Sequence, residues 1–224
     1  MSLRIARAAG LSVVLSSFIA TTAFAALSTG EQKRLNDAAG VVTAIRNADN
    51  GIPEDLWQKA ACVIVIPDMK KAAFIVGGET GSGAMSCRHG SGWSEPIFME
   101  LTKASVGFQA GVEVSEVIIV VMTEKGLNSL LSTSFKIGGD ASIAAGPVGA
   151  GAKSTVTADL ISFSRAKGVY GGVNLDGTVV HANTSWNDAY YGRSNLLPPD
   201  ILIRKTVQSP KSEPLLTAVA RAAR

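Results

Sequence analysis

Lys136-Ile137-Gly138-Gly139-Asp140-Ala141-Ser142-Ile143-Ala144-Ala145-Gly146-Pro147-Val148-Gly149-Ala150-Gly151-Ala152-Lys153-Ser154 lies at the centre of the chain and decides how the rest is read. Two readings compete. Glycines let backbone N–H groups approach an anion, and Lys153 would supply charge, so the stretch can be a phosphate-cradling loop. Small residues also mark bends and near approaches of backbone, so it can equally be a pair of closely packed β-strands. Gly146 and Gly151 stand at the Walker A interval, but Ala152 intrudes before Lys153 and Ser154, where that motif needs its lysine directly after glycine. The residues that follow, 155–164, alternate as a strand does and open no helix. Packed strands are the better reading.

Outward from that centre the chain reads as strand after strand. On the N-terminal side, Cys62–Ile66 is an apolar strand, Asp68–Lys71 a turn and Gly77–Gly83 a glycine-rich turn. Ala84–Arg88, Ile97–Thr102, Val106–Val114 and Val117–Met122 follow as further strands, and Glu124–Leu131 is a short helix. On the C-terminal side come Val156–Ser164, Gly168–Val173 and Thr178–Ala182. Lys167-Gly168 and Asp176-Gly177 lie between them, the second a strong hairpin signal. Ser185–Tyr191 is a short helical or turn segment, and Pro198-Pro199-Asp200 opens a last element. Before all of these, Ser28–Ala48 is a helix. Ser28 and Glu31 stand at capping-box spacing, and Leu35, Ala38, Ala39, Val42 and Ile45 recur on one face. The pattern predicts an α+β domain: an antiparallel β-rich core, sheet or barrel-like, with an N-terminal helix and short helices at the C-terminal end.

The ends differ from the body. Arg4 and Arg7, the apolar run 8–20 and Ala23-Phe24-Ala25 form the three parts of a secretory signal peptide over residues 1–25, with cleavage expected before Ala26. The protein is therefore expected to be exported, periplasmic or secreted in a bacterial cell. Residues 26–207 form the domain. Residues 208–224 form a proline-containing basic tail. Without the leader the chain has 19 basic and 18 acidic residues, whereas residues 204–224 alone carry a net charge of +4. A near-neutral body argues against nucleic acid as a partner.

Chemistry is sparse. His89 and His181 lack a second ligand pair for zinc, and no nucleophile elbow or H-E-x-x-H appears. No catalytic residues, cofactor or metal are expected. In an oxidising compartment Cys62 and Cys87 would close a 26-residue segment as a disulfide; the alternative is a pair of buried small hydrophobes.

Several pieces together resemble one family. Phe74-Ile75-Val76-Gly77-Gly78 with Gly81 and Gly83, Gly92-Trp93-Ser94 with Pro96, Gly107-Phe108-Gln109-Ala110-Gly111, and Ala144-Ala145-Gly146-Pro147-Val148-Gly149 are similar, in that order, to the SYLF domain. So are Lys167-Gly168 with Gly171-Gly172-Val173, and Asn187 with Tyr190-Tyr191-Gly192. The resemblance covers about residues 30–205. It implies a non-enzymatic, β-rich lipid-binding module; eukaryotic members bind phosphoinositides and some bind actin filaments. Actin is not expected to partner an exported bacterial protein. Phosphatidic acid, phosphatidylglycerol or cardiolipin would be the anionic phospholipid, and a structural or protein-interaction module of the cell envelope is the alternative. The cations for headgroup contact are Lys70, Lys71, Arg88, Lys103, Lys136, Lys153, Arg165 and Lys167, many at inferred strand ends or turns. Lys33 and Arg34 join them on the helix whose eukaryotic counterpart touches membranes, where Glu31 and Asp37 weaken the match.

Overall fold

The structure is a computed structural model that describes residues 17–73, 76–106, 111–147 and 158–224. Six helices are described: α1 (Ser17–Arg46), α2 (Glu54–Lys59), α3 (Glu124–Leu130), α4 (Thr184–Tyr191), α5 (Pro198–Leu202) and α6 (Glu213–Ala222). The strands are β1 (Cys62–Ala73), β2 (Val76–His89), β3 (Gly92–Trp93), β4 (Ile97–Val106), β5 (Gly111–Val121), β6 (Ser134–Lys136), β7 (Ile143–Ala145), β8 (Leu160–Ala166), β9 (Val169–Gly172) and β10 (Val179–Ala182). They join in one sheet of order β6-β10-β4-β2-β1-β5-β8-β7, with β3 added to β2 and β9 to β8. All pairs are antiparallel except β7 with β8. The expected α+β architecture is the observed one, as a curled sheet with helices before and after it.

The curl follows from the topology. β6 and β7 are the two ends of the strand order, yet only residues 137–142 separate them in sequence. Six residues reach at most about 20 Å, so the opposite edges must come round towards each other. The described part of the central glycine-rich stretch, residues 136–147, is thus a strap between edges rather than two strands paired with one another. Ile137 bridges to Ala141, and Ile137 exchanges backbone hydrogen bonds with Gly177 and Thr178. Residues 148–157, including Lys153, lie outside the described residues.

Side chains alternate between the two faces. Cys62, Ile64, Ile66 and Met69 of β1 point into the hollow with Met99 and Leu101 of β4, Ile119 of β5 and Phe135 of β6. Val63, Val65, Phe98, Ile118, Val120 and Phe163 point outward, under Leu35, Ala38, Val42 and Ile45 of α1 and Leu215, Val219 and Ala222 of α6. Burying faces of this size against helices is what holds such a layer together, at roughly 25 cal/mol per Å² of apolar area.

Several local expectations change. α1 starts at Ser17, so Ser28 lies within the helix and does not cap it; the helix also crosses the Ala25–Ala26 junction. Asp68–Lys71 and Gly77–Gly83 are strand, not turn. β1 carries one extra residue against β2 between Val65 and Asp68, and against β5 between Ile66 and Met69. A Cβ on Gly83 would lie 1.9 Å from the Val65 carbonyl oxygen, so glycine there permits close approach within a strand. Asp176-Gly177 is a turn but closes no hairpin, because β10 pairs with β4 and β6 and not with β9. Lys167-Gly168 does close one, joining β8 to β9 with φ of 50° and 81°, the twist that a two-residue hairpin turn needs. The basic tail is no appendage: α6 packs on α1, and Gln32 Nε2 donates to the Lys211 carbonyl at 2.9 Å.

Cys62 and Cys87 pair across β1 and β2 and are joined as a disulfide, both buried in the hollow. Replacing both by alanine is expected to cost about 3 kcal/mol, read as a lower urea midpoint against the oxidised parent. Gly146→Ala is expected to cost about 1–3 kcal/mol, since its Cβ would sit 2.2 Å from the Phe163 ring. Gly171→Ala, with nothing within 4 Å, is its near-neutral control in the same measurement.

Candidate functional site

Two features occupy the region around the strap. The first is a cleft of about 430 Å³ lined by Gly138, Ser142–Ala145, Val173, Asn174 and Asp176. Gly138 adopts φ +85°, and a Cβ there would fall 1.6 Å from Asp176 Oδ1, so the strap backbone and the Asp176 carboxylate share one space. The one charged side chain among the described lining residues is this acid. Among its described lining residues the cleft offers a phosphate no cation, and Lys153, the cation of the phosphate-loop reading, lies outside the described residues.

The strap is fixed by an acid that the sequence reading passed over. The Asp159 carboxylate accepts hydrogen bonds from Thr123 Oγ1 (2.6 Å), Ser142 N (2.9 Å) and Ser142 Oγ (2.8 Å), and Lys125 Nζ lies at 3.4 Å. These bonds hold the Asp159 carboxyl well below the usual range, the Thr123 hydroxyl first among them. No motif marks such a hub; only the fold brings 123, 142 and 159 together.

The second feature is a level of the sheet. Cross-strand pairing places Lys136, Val179, Thr102, Thr80, Lys70 and Val114 in one transverse row, and Lys103, Glu79, Lys71 and Glu113 in the next. The Lys167-Gly168 turn follows Arg165, which pairs with Glu116, so Lys167 sits at the level of Val114. Five expected cations, Lys70, Lys71, Lys103, Lys136 and Lys167, therefore gather at one end of the sheet, far from the disulfide end. Acids are interspersed: Lys70 pairs with Asp68 at 2.9 Å and Lys71 with Glu79 at 3.5 Å, while Lys103 donates to the Asn174 carbonyl. Lys136 and Lys167 are exposed and have no ion-pair partner among the described residues. At the same level Val169 is 73% exposed and Val114 52%, the two most exposed large apolar side chains among the described residues.

The other expected cations that lie among the described residues, Lys33, Arg34, Arg88 and Arg165, have partners within the protein. Arg34 donates to Ser82 Oγ and lies 4.0 Å over the Trp186 ring, a buried position that pulls its pKa down. Arg88 donates to the carbonyls of Trp57, Gln58 and Ala60, closing the end of α2. Arg165 makes a forked pair with Glu116 beside Tyr170, which raises its pKa. Lys33 is held by Asp37 at 2.6 Å. His89 and His181 are exposed, and the disulfide leaves Cys62 and Cys87 no thiolate to activate. Among the described residues no cluster of His, Cys, Asp and Glu could hold a metal. No described helix is long and apolar enough to cross a membrane.

A depressed carboxyl contributes stability that is present above its unfolded pKa of about 4 and is lost as pH falls towards its folded value. Asp159→Asn is therefore expected to lower the urea midpoint at pH 7. The gap from the parent should narrow as the pH drops below about 4; a gap independent of pH would show that charge plays no part.

Comparison with known proteins adds an independent observation. The family described as "Ysc84: Las17-binding protein actin regulator" matches residues 102–222. Protein YSC84 of Saccharomyces cerevisiae is 28% identical over 177 residues, 75% of this chain and 37% of its own length. LAS seventeen-binding protein 3 of the same yeast is 28% identical over 176 residues, 75% of this chain and 38% of its own. SH3 domain-containing YSC84-like protein 1 of Homo sapiens is 26% identical over 180 residues, 78% of this chain and 52% of its own. The chain spans between about a third and a half of the length of these relatives.

Proposed function

Because the chain belongs to the Ysc84/SYLF family, we propose that it is a non-enzymatic binding domain whose ligand is an anionic phospholipid surface. The observation that carries the reading is the lysine level of the sheet, where Lys136 and Lys167 have no ion-pair partner among the described residues and Val114 and Val169 are exposed at the same end. A cation near an anionic membrane surface gains about 1 kcal/mol, less with salt. Burying an exposed valine adds up to about 1.5–3 kcal/mol. With Lys70 and Lys71 largely neutralised by Asp68 and Glu79, the sum suits weak, reversible, salt-sensitive attachment rather than anchoring. Phosphatidic acid, phosphatidylglycerol or cardiolipin supplies the phosphate when the leader at 1–25 directs export.

A second reading, an interaction module with a protein partner, is favoured by the relatives. One is named for binding LAS seventeen, and the family description names Las17 binding and actin regulation. Actin, set aside above on the ground of export, is not excluded by these names. Both readings are of binding, and neither asks for a reacting side chain.

Flotation with vesicles tests the leading reading. The full chain should float with phosphatidylglycerol vesicles at low salt and not with phosphatidylcholine, and Lys136→Glu with Lys167→Glu should reduce the floated fraction about tenfold. Val169→Asp should reduce it separately. Deleting residues 208–224 is no substitute, because it strips α6 from the core. Equal flotation of the parent and the charge-reversed chain would end the proposal.

A further inference from the structure

The segment 193–206, between α4 and Val207, inverts the usual economy of a short connection. It buries Leu196, Pro198, Ile201 and Leu202 but leaves Leu197 47% and Ile203 42% exposed. These two flank α5, and three cations with exposed side chains lie with them: Arg193, Arg204 and Lys205. The one acid in the segment is Asp200, so the local charge is +2.

The exposure is built in. Asp200 sits at the middle: its carboxylate accepts from Leu197 N at 3.0 Å and from Arg204 NH1 at 2.6 Å, and its carbonyl accepts from Thr206 N at 3.0 Å. Arg193 NH1 closes the loop by donating to the Thr206 carbonyl at 2.7 Å. At the near end, the Asp188 carboxylate of α4 accepts from Asn195 N and Leu196 N. Asn195 and Lys205 hold φ of 62° and 53°, a region that non-glycine residues rarely occupy, so the surrounding bonds over-determine the backbone. The result is a rigid platform with two apolar side chains out and guanidinium and ammonium groups beside them.

We propose that this platform, Leu197 and Ile203 ringed by Arg193, Arg204 and Lys205, docks an acidic protein segment that inserts an apolar side chain between its carboxylates. Charge complementarity selects the partner: Lys205 and the guanidinium nitrogens that Arg193 and Arg204 do not spend on Thr206 and Asp200 match carboxylates, and the preset backbone removes much of the ordering cost of binding. A flat membrane fits the platform less well. Tyr191 Oη donates to the Pro96 carbonyl, which seats this region at the start of β4. Lys103 is seven residues further along that chain, and a strand rises about 3.3 Å per residue, so the platform and the lysine level are about 20 Å apart at opposite ends of β4. A membrane seated on the lysine level lies that far along β4 from the platform. The inference stands independently of the lipid reading.

The test uses the full chain and a short fluorescent peptide alternating glutamate with leucine, with a lysine–leucine peptide as control. The acidic peptide should bind with an affinity that falls as salt rises, and the control should not bind. Ile203→Asp with Lys205→Glu should weaken binding about tenfold or more. Leu197→Asp should do so alone; aspartate is a favoured residue at that helix N-cap, so the fold is kept even if the double variant melts. Lys167→Glu should leave peptide binding unchanged while reducing vesicle flotation, which separates failure of one reading from failure of the other. No binding of the acidic peptide overturns the proposal. So does binding that Leu197→Asp leaves intact, or flotation with anionic vesicles that Leu197→Asp abolishes and Lys167→Glu does not.

Discussion

Six residues between β6 and β7 constrain everything else. Strands that stand at opposite edges of a wide sheet are joined by a strap too short to cross it flat. The sheet therefore rolls, and its rolled face becomes an enclosed core that receives Phe135, Ile137 and Ala141 from the strap side and Leu196, Ile201, Leu202 and Val207 from the C-terminal elements. Small residues are required where this closure is tight: Gly138 against the Asp176 carboxylate, Gly146 against the Phe163 ring. The carboxylate of Asp159 then ties the strap to the base of α3 through Ser142 and Thr123. Residues 136–147, the described part of a stretch that looks like a phosphate loop, thus form a closure held by the protein's own carboxylate.

The basic side chains divide by the same physical criterion. Arginine's fork suits half-buried, partnered positions, and Arg34, Arg88 and Arg165 occupy them: over Trp186, at the end of α2, and across from Glu116. Lysines gather where strands run out beyond the core, because a solvated ammonium on a long stem tolerates that edge. Binding capacity, for either class of partner, therefore rests on lysines and on apolar side chains that no packing face claims.

Much of the architecture was legible in the sequence. The strands read over Ile97–Thr102 and Val117–Met122, the helical spacing of Leu35, Ala38, Val42 and Ile45, and the Lys167-Gly168 turn all correspond to observed elements. The errors share a cause. Asp68–Lys71 and Gly77–Gly83 read as turns because glycine, proline and charge are turn residues locally, yet here they accommodate a bulge whose need arises only when β1 meets β2. Asp176-Gly177 has the composition of a hairpin, but which strands pair is a long-range matter, and β10 joins β4 and β6 instead. For the candidate site, the lysines were named one by one. That Lys136, Lys70 and Lys167 share a level is a fact of register, invisible without pairing, as was the exposure of Val169 and Leu197.

The contact between α1 and α6 has a consequence for how the chain reaches this state. α1 lies at the beginning of the domain and α6 at its far end, and between them they cover the outward face that carries Phe98, Ile118 and Phe163. Until residues 213–222 emerge from the ribosome or a translocation pore, that greasy face has half its cover missing. Contacts so distant in sequence also close slowly. The last helix to be made is thus the one that completes the cover of this face, so the two ends of the domain must meet before its apolar layer is shielded.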